Sequence, residues 1–423
     1  MLIEQLLKSN LECQMKEIEK HLHSSFDKIN NFIDQVFNLD QQTSIISSHG
    51  SELSLPKVNE FNLVGQSNFQ SNMVQELMLL VNQKIKSQPQ MEQDLKFKTP
   101  SQYNLKPFSY QIIQDNSIKQ QNFCGAFAFN KDCSIIAVGC GNEILIYEFE
   151  QGKFKQTQVL VQHQNSIFTL NFMKKSNQLI SGDCDNAILI WSISNKNQWV
   201  CLQTVQGHDS QINCLVVHKN EDLFISGSND KTIKFWVKEN EWKCSQTITY
   251  HQNSVYSLSL NEKQNQVISC GGDKFILITQ YSEQTRNWVI IQQIDIDYFG
   301  IRLHFINNNT FTFQSQQGSM MQVYEMDSEY RIFTKTKEII LNQGDDSNIL
   351  FPQLYVKSKQ LLINKNNKYV NFIRMTEYGE FKLEQSIQFA KNGIYGSLSD
   401  DGDYLITWDY SSYEIQIRKY QEE

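Results

Sequence analysis

The sequence predicts an all-β fold, a ring of seven four-stranded antiparallel blades, preceded by an N-terminal α-helical extension. Three observations predict this architecture. Short runs of alternating or β-branched apolar residues, separated by polar turns, fill residues 108–423. Segments within that range repeat with a period of about 45 residues, a length typical of repeat folds. Residues 1–39 show instead the apolar spacing of a long helix.

The composition is that of a folded protein, and it argues against nucleic acid and membrane partners. Of 423 residues, 40% are hydrophobic and 20% are charged, and the net charge is −8. Binding to phosphates needs clustered Lys and Arg, which this acidic chain does not offer. No apolar run approaches the roughly 18 residues of a spanning helix, and the start MLIEQLLKSN carries Glu4 where a signal peptide would be basic. The nine cysteines form no C-x-x-C pair, which predicts reduced thiols and a cytoplasmic location.

The first 39 residues are predicted to form one amphipathic helix. Neither Gly nor Pro interrupts them. Positions at steps of three and four form an apolar stripe, at Leu7, Leu11, Met15, Ile18, Leu22, Phe26 or Ser25, Ile29, Ile33 and Val36. Two interpretations are open: a helix that packs on its own chain, and a coiled coil that forms a homodimer or binds a partner. Residues 40–107 are predicted to be a linker with a short helix near 72–86.

Three gapless copies of one unit define the repeat. They begin at His163, His208 and His251, and they are HQNSIFTLNFMKKSNQLISGDCDNAILIW, HDSQINCLVVHKNEDLFISGSNDKTIKFW and HQNSVYSLSLNEKQNQVISCGGDKFILIT. In each copy the His is followed by three predicted strands with polar turns between them. A fourth strand then opens with a tryptophan, at Trp199, Trp242 and Trp288. Each unit is therefore predicted to be one four-stranded antiparallel blade.

Weaker copies extend the series to seven. Residues 124–161 give a first blade, and residues 299–339 and 348–389 give a fifth and a sixth. The last copy, from Gly393, supplies three strands and stops. The segment FSYQIIQDN, residues 108–116, has the aromatic-led, Gln-containing pattern of the fourth strands. We therefore predict that it is the missing outer strand of the last blade, because ring closure removes exposed sheet edges.

These repeats resemble the WD40 repeat family of seven-bladed β-propellers over residues 108–423, most clearly in the second, third and fourth blades. The resemblance implies a buried hydrogen-bond network of His, Ser, Asp and Trp in each blade. The matching residues are His163, Ser181, Asp185 and Trp191, then His208, Ser226, Asp230 and Trp236, then His251, Ser269 and Asp273. In the fourth blade Thr279 stands at the Trp position.

The single Trp-Asp dipeptide of the chain, Trp408-Asp409, is out of register with this signature. Thr407 aligns with Ser226, so the family's Trp position falls near Arg418. We expect Trp408 to pack between blades or against the closing strand.

The sequence predicts neither an enzyme nor a metal or cofactor site. It contains no nucleophile motif, phosphate-binding loop or zinc-protease motif. His163, His208 and His251 could suggest a metal site, but equivalent positions of successive blades cannot converge at roughly 2 Å from one ion.

We therefore expect a non-catalytic scaffold that binds protein partners through one face of the propeller. Candidate contact residues lie in the loops before the first strands: Asn165, Ser210, Asn253, Tyr298 and Phe299. Among them Tyr298 and Phe299 are favoured, because exposed aromatic side chains supply contact energy. Alternatively, Tyr298 and Phe299 pack into the fifth blade.

A second functional interpretation is an accessory subunit of an enzyme or assembly machinery. The pairs Trp199-Cys201 and Trp242-Cys244 resemble the propeller subunit of the cytosolic iron–sulfur protein assembly machinery. That resemblance covers two blades.

Overall fold

The structure is a computed structural model that describes residues 106–422, except 114, 115, 151, 343, 347, 348, 377 and 378. The predicted helices at 1–39 and near 72–86 lie outside the described residues. The described residues contain no helix that is long and apolar enough to span a membrane.

Twenty-nine strands and one 3₁₀ turn, Lys357–Lys359, make up the regular structure of the described residues. The strands are β1 Phe108–Ile112, β2 Ile118–Lys119, β3 Cys124–Phe129, β4 Ile135–Cys140, β5 Glu143–Glu150, β6 Lys153–Leu160, β7 Ile167–Phe172, β8 Leu179–Asp183, β9 Ile188–Ile193, β10 Trp199–Val205, β11 Ile212–Val217, β12 Leu223–Ser228, β13 Ile233–Lys238, β14 Trp242–Ile248, β15 Val255–Leu260, β16 Gln266–Gly271, β17 Phe275–Ser282, β18 Asn287–Asp295, β19 Gly300–Phe305, β20 Thr310–Ser315, β21 Met320–Met326, β22 Phe333–Ile340, β23 Leu354–Val356, β24 Leu361–Asn366, β25 Tyr369–Met375, β26 Phe381–Gln388, β27 Ile394–Leu398, β28 Tyr404–Asp409 and β29 Glu414–Glu422.

These strands form seven antiparallel sheets, which confirms the predicted seven-bladed propeller. Blades 1 to 6 each contain four consecutive strands, from β3–β6 to β23–β26. Blade 7 has the order β27-β28-β29-β1, and β2 also pairs with β29.

The hydrophobic core lies between the blades. Buried apolar side chains form seven clusters, and each cluster joins the facing sides of two neighbouring blades. At the interface of blades 2 and 3, for example, Trp236 stacks on Phe224 with the ring centroids 5.7 Å apart, and Ile180 and Ile190 pack against the same cluster. No blade can bury both of its apolar faces alone, so each depends on two neighbours.

Strand β1 closes the ring, with Phe108 paired to Glu422 and Ile112 paired to Arg418. The strand is shorter than the segment 108–116 assigned from the sequence. Tyr110 stacks on Phe372 of blade 6 at 4.5 Å between ring centroids, and its hydroxyl donates to the carbonyl oxygen of Gly402 at 2.6 Å. The closing strand thus joins blade 7 to blade 6 through its side chains as well as through its backbone.

Trp408 packs between blades 7 and 1, the first of the two expected positions. It is fully buried in a cluster with Phe127 and Val138 of blade 1, and its indole Nε1 donates to the carbonyl oxygen of Gln120 at 3.0 Å. Of the predicted closing segment 108–116, Phe108 and Tyr110 belong to the blade 6–7 cluster, whereas Ile113 packs against the cluster of Trp408.

The ladder places Arg418 at the position that Trp236 occupies in blade 3. Arg418 pairs with Leu405, two residues before Thr407, just as Trp236 pairs with Phe224, two residues before Ser226. Arg418 Nη1 donates to the hydroxyl of Thr407 at 2.8 Å, the same distance at which the Trp236 indole donates to Ser226.

Glutamine side chains link the outer strands of successive blades. Each amide accepts the N–H and donates to the C=O of the aromatic residue that opens the next outer strand. The pairs are Gln158 with Trp199, Gln203 with Trp242, Gln246 with Trp288 and Gln292 with Phe333, at 2.6–2.9 Å. An amide carries both a donor and an acceptor, so one side chain satisfies both backbone groups. The aromatic-led, Gln-containing pattern of the sequence is therefore a contact between blades.

Blades 5 and 6 are joined by a buried ionic cluster of Arg302, Asp346 and Lys365. The Asp346 carboxylate accepts from Arg302 Nη1 at 3.1 Å and from Lys365 Nζ at 2.5 Å, and all three side chains are essentially inaccessible to solvent. Burial lowers the pKa of Lys365 to about 8, although Asp346 opposes that shift. Because an unpaired buried charge is costly, Asp346 ties the loop before β23 firmly to both blades.

The prediction that the cysteines are reduced is wrong for Cys124 and Cys140. They face each other across β3 and β4, are both buried and form a disulfide. Their pairing is invisible in the sequence, because the spacing of 16 residues becomes adjacency only through the hairpin register.

Ring closure predicts the effect of changing Tyr110. Tyr110→Ala removes the stacking on Phe372 and leaves a cavity in the blade 6–7 interface, so we expect the free energy of unfolding to fall by about 3–5 kcal/mol. Tyr110→Phe keeps the ring and loses only the hydroxyl, so about 1 kcal/mol is expected. Denaturant unfolding of the three proteins measures both effects. Equal stability of the Ala and Phe variants would contradict this role of β1.

Candidate functional site

The candidate site is the end of the ring where two sets of loops meet, here called the loop face. It consists of the loops before the first strand of each blade and the turns between the second and third strands. In an antiparallel four-stranded blade these segments lie at the same end, because successive strands reverse direction. All five predicted contact residues, Asn165, Ser210, Asn253, Tyr298 and Phe299, lie on this face.

Blade 3 shows the complete network beneath the loop face. His208 Nδ1 lies 2.7 Å from Asp230 Oδ2, its Nε2 lies 2.6 Å from Ser226 Oγ, and Trp236 Nε1 donates to the same Oγ at 2.8 Å. Burial opposes ionisation of Asp230, but hydrogen bonds from His208 and Thr232 outweigh it and hold the pKa of that carboxyl well below its usual range. The network therefore connects the loop before β11 to the turn after β12.

Blade 2 uses a different aspartate from the one predicted. His163 Nδ1 lies 2.8 Å from Asp183 Oδ2, whereas Asp185 points to the surface and accepts a hydrogen bond from Asn165. Asp183 ends strand β8, where blade 3 has Ser228, and its Oδ1 also accepts the N–H groups of Asp185 and Ala187. A carboxylate two residues earlier thus reaches the same imidazole and caps the turn, so the gapless alignment selected the wrong acid.

Blade 4 has an incomplete network. His251 contacts Asp273 at 2.6 Å and Ser269 at 2.8 Å, as predicted from the alignment. Thr279 cannot reach the position of the missing indole, and its buried hydroxyl has no hydrogen-bond partner among the described residues. Phe275 stacks on the His251 ring at 5.2 Å instead.

The rings of His163, His208 and His251 are hydrogen-bonded within these networks and do not converge on a common site. Each ring has both nitrogens within hydrogen-bond distance of a side chain of its own blade. Across residues 106–422 where described, no group of three or more His, Cys, Asp or Glu side chains is placed to hold a metal ion.

Tyr298 and Phe299 are exposed and do not pack into blade 5. Tyr298 is 49% exposed and Phe299 is 40% exposed. Lys274 Nζ lies 5.8 Å from the centre of the Phe299 ring, a cation–π distance. Tyr250, 49% exposed, lies before the neighbouring blade 4, and its hydroxyl contacts Gln293 at 3.0 Å. Tyr250, Tyr298 and Phe299 are therefore exposed rings on the loops before blades 4 and 5.

A second aromatic surface on the loop face was missed by the sequence reasoning. Phe123, Tyr395, Tyr410 and Tyr413 surround the buried Trp408, and Phe123 contacts Tyr395 at 4.8 Å between ring centroids. Tyr410 and Tyr413 are each 37% exposed. The segment YLITWDYSSY carried a signal in its aromatic density, but Phe123 joins it only through the meeting of blades 7 and 1.

The centre of the ring is a channel of about 330 Å³ lined by the innermost strands of all seven blades. Its wall carries small polar side chains, among them Thr169, Ser257 and Ser397, and one imidazole, His304. Burial lowers the pKa of His304 to about 4, so this ring is neutral at neutral pH.

Comparison with known proteins identifies three of the repeats. The family described as "WD domain, G-beta repeat" matches residues 154–192, 199–237 and 242–279, each running from the outer strand of one blade through the third strand of the next. The chain therefore contains WD40 repeats within a seven-bladed β-propeller.

Curated relatives match the chain over short segments. A "p21-activated protein kinase-interacting protein 1-like" protein of Danio rerio is 32% identical over 26% of this chain and 28% of its own length. "Pre-mRNA-processing factor 19" of Oryza sativa is 25% identical over 24% of this chain and 19% of its own length. "Nuclear distribution protein PAC1" of Candida dubliniensis is 37% identical over 14% of this chain and 15% of its own length. The chain thus spans less than a third of each of these relatives.

Asp183 and Asp185 are expected to contribute differently to stability, because only Asp183 contacts His163 in the blade 2 network. Asp183→Asn leaves His163 buried without its charged acceptor, so we expect a loss of about 1.5–3 kcal/mol in the free energy of unfolding. Asp185→Asn changes an exposed side chain and is expected to cost less than about 0.5 kcal/mol. Denaturant titration of both variants measures the difference. A larger loss for Asp185→Asn than for Asp183→Asn would show that Asp185, the residue predicted from the alignment, is the partner of His163.

Proposed function

We propose that this protein is a non-catalytic scaffold that binds protein partners through the loop face of its propeller. The single observation that carries the proposal is the set of exposed aromatic side chains on that face, Tyr250, Tyr298 and Phe299. Exposed rings that stand together on a folded surface are typical of protein-binding sites, because they bury large areas at low entropic cost.

The loop face is suited to this role because its backbone is held in place before any partner arrives. His208 and Asp230 fix the loop before blade 3, and Asp346 fixes the loop before blade 6. A preorganised surface loses less conformational entropy on binding than a mobile one. The name of the Danio rerio relative, which describes a kinase-interacting protein, is consistent with a docking role.

The N-terminal segment is proposed to associate through its heptad stripe, as a homodimer or with a partner helix. Its spacing of apolar residues over residues 1–39 supports this. We further propose that the protein has no nucleic acid or membrane partner, on the basis of the acidic composition. A cytoplasmic location is proposed because the other six described cysteines are free thiols, with the Cys124–Cys140 disulfide as the exception.

The accessory-subunit interpretation has less support. Its basis was the pairs Trp199-Cys201 and Trp242-Cys244, and the structure accounts for both tryptophans as blade contacts. The two indoles are buried, at 7% and 4% exposure, so they offer no surface to a client protein.

The docking proposal predicts that Tyr298→Ala with Phe299→Ala lowers partner recovery at least about fivefold in affinity purification, since aromatic anchors contribute 1 kcal/mol or more. Tyr330→Ala is the matched control: Tyr330 is 68% exposed but lies in the turn between β21 and β22, at the opposite end of the ring. Recovery of every partner at wild-type level by the double variant would contradict this site.

The helix proposal predicts that the full-length chain sediments as a dimer and that Leu11→Glu with Ile18→Glu makes it a monomer, because charges at seam positions disrupt a coiled coil. Ser9→Glu with Ser24→Glu, which adds the same charge at positions opposite the apolar stripe, is the control and should stay dimeric. A monomeric wild-type chain would show that the segment does not form a homodimer.

A further inference from the structure

The loop face over blades 2 to 5 carries an excess of negative charge. Five exposed carboxylates lie on it: Asp185, Asp209, Asp295, Asp297 and Asp345. In the part of the chain that the structure describes, none of these forms an ion pair with Lys or Arg. Asp345 belongs to the loop before blade 6, but its carboxylate accepts the N–H of Gly318 in the turn of blade 5. Asp345 is therefore linked to blade 5, and all five groups lie at the same end of the ring.

Cations on the same loops and turns are fewer. Lys231 and Lys274 lie in the turns of blades 3 and 4, and both are exposed. Five carboxylates against two ammonium groups leave an excess of three negative charges at the surface. Beneath blades 2, 3 and 4 lie the carboxylates of Asp183, Asp230 and Asp273, each bonded to an imidazole of its own blade. Beneath the loop of Asp345 the buried charges are two cations, Arg302 and Lys365, and one carboxylate, Asp346. Charges held at the rim of a low-dielectric ring produce a field that extends into solvent.

The aromatic end of this surface adds a second feature that suits a cation. Lys274 Nζ already occupies one face of the Phe299 ring, 5.8 Å from its centre, so a cation from a partner is expected at the exposed Tyr298 ring. Tyr298 and Phe299 directly follow Asp295 and Asp297 in the chain, which puts exposed rings beside exposed carboxylates. Lys and Arg side chains can use both partners, with the methylene stem on the ring and the charged head group on the carboxylate.

We propose that the loop face over blades 2 to 5 binds a basic segment of a partner protein, with its Lys or Arg side chains between the carboxylates and the rings at Asp295–Phe299. The inference rests on the docking function proposed above and adds the chemistry of the partner. An acidic or phosphorylated segment, and any nucleic acid, would meet charge of its own sign here.

The experiment uses the full-length protein and a defined probe. A short fluorescent lysine-rich peptide with one tryptophan is titrated, in parallel with the same peptide carrying glutamate in place of lysine. We expect the lysine peptide to bind, with affinity that falls as salt is raised, and the glutamate peptide not to bind. Asp295→Asn with Asp297→Asn should weaken binding of the lysine peptide about fivefold or more, since each partly exposed ion pair contributes up to about a fewfold.

The matched control is Glu283→Gln with Glu329→Gln, which removes the same charge from exposed turns of blades 4 and 5 at the opposite end of the ring. The control should bind the lysine peptide as the wild type does. Equal weakening by both double variants would show attraction to net charge alone and overturn the proposal, as would binding of the glutamate peptide or no binding of the lysine peptide. If the lysine peptide fails while Tyr298→Ala with Phe299→Ala still loses partners in affinity purification, the scaffold function stands and only the basic partner is wrong.

Discussion

Pairing of β1 with β29 is the contact on which the rest of the ring depends. Every apolar cluster of the described propeller lies between two blades, so an open ring would expose two apolar sheet faces and one unpaired edge. The closing strand comes from the other end of the domain, and its Tyr110 stacks on Phe372 of blade 6 while its hydroxyl donates to Gly402 of blade 7. One strand of five residues thereby completes the sheet of blade 7 and its interface with blade 6.

Two further sets of contacts act at different radii of the ring. Glutamine amides join the outer strands, where each exposed edge would otherwise present unpaired backbone groups to water. The His–Asp–Ser networks work nearer the loop face and fix the backbone there. Since a buried imidazole needs partners for both nitrogens, the loop that carries it cannot move without exposing a polar group. The result is a rigid backbone frame that carries different side chains on the loops of each blade.

That frame explains why the polar and aromatic groups of the loop face can act together. Their carboxylates and rings are contributed by loops of different blades, and only a fixed ring keeps them at constant spacing. The same argument applies to the aromatic surface around Trp408, where blades 7 and 1 each supply rings. The histidines of blades 2, 3 and 4 each point into a separate network.

The number of blades and the boundaries of the strong repeats could be predicted from the sequence because each blade is a local pattern: strand alternation, turn residues and a His at a constant offset recur along the chain. The position equivalent to Trp236 in the last blade, Arg418, was also accessible, since register follows from spacing. The sequence left two alternatives for Tyr298 and Phe299, exposure and packing into the fifth blade, because a local pattern does not determine exposure.

The tertiary structure alone decided which groups meet across the ring. The choice of Asp183 over Asp185, the Cys124–Cys140 disulfide and the cluster of Arg302, Asp346 and Lys365 all depend on where a strand ends or which blade faces which. Sequence periodicity records what is repeated in every blade. It carries no information on contacts that occur once, because such contacts arise from residues far apart in the chain and brought together only when the ring has closed.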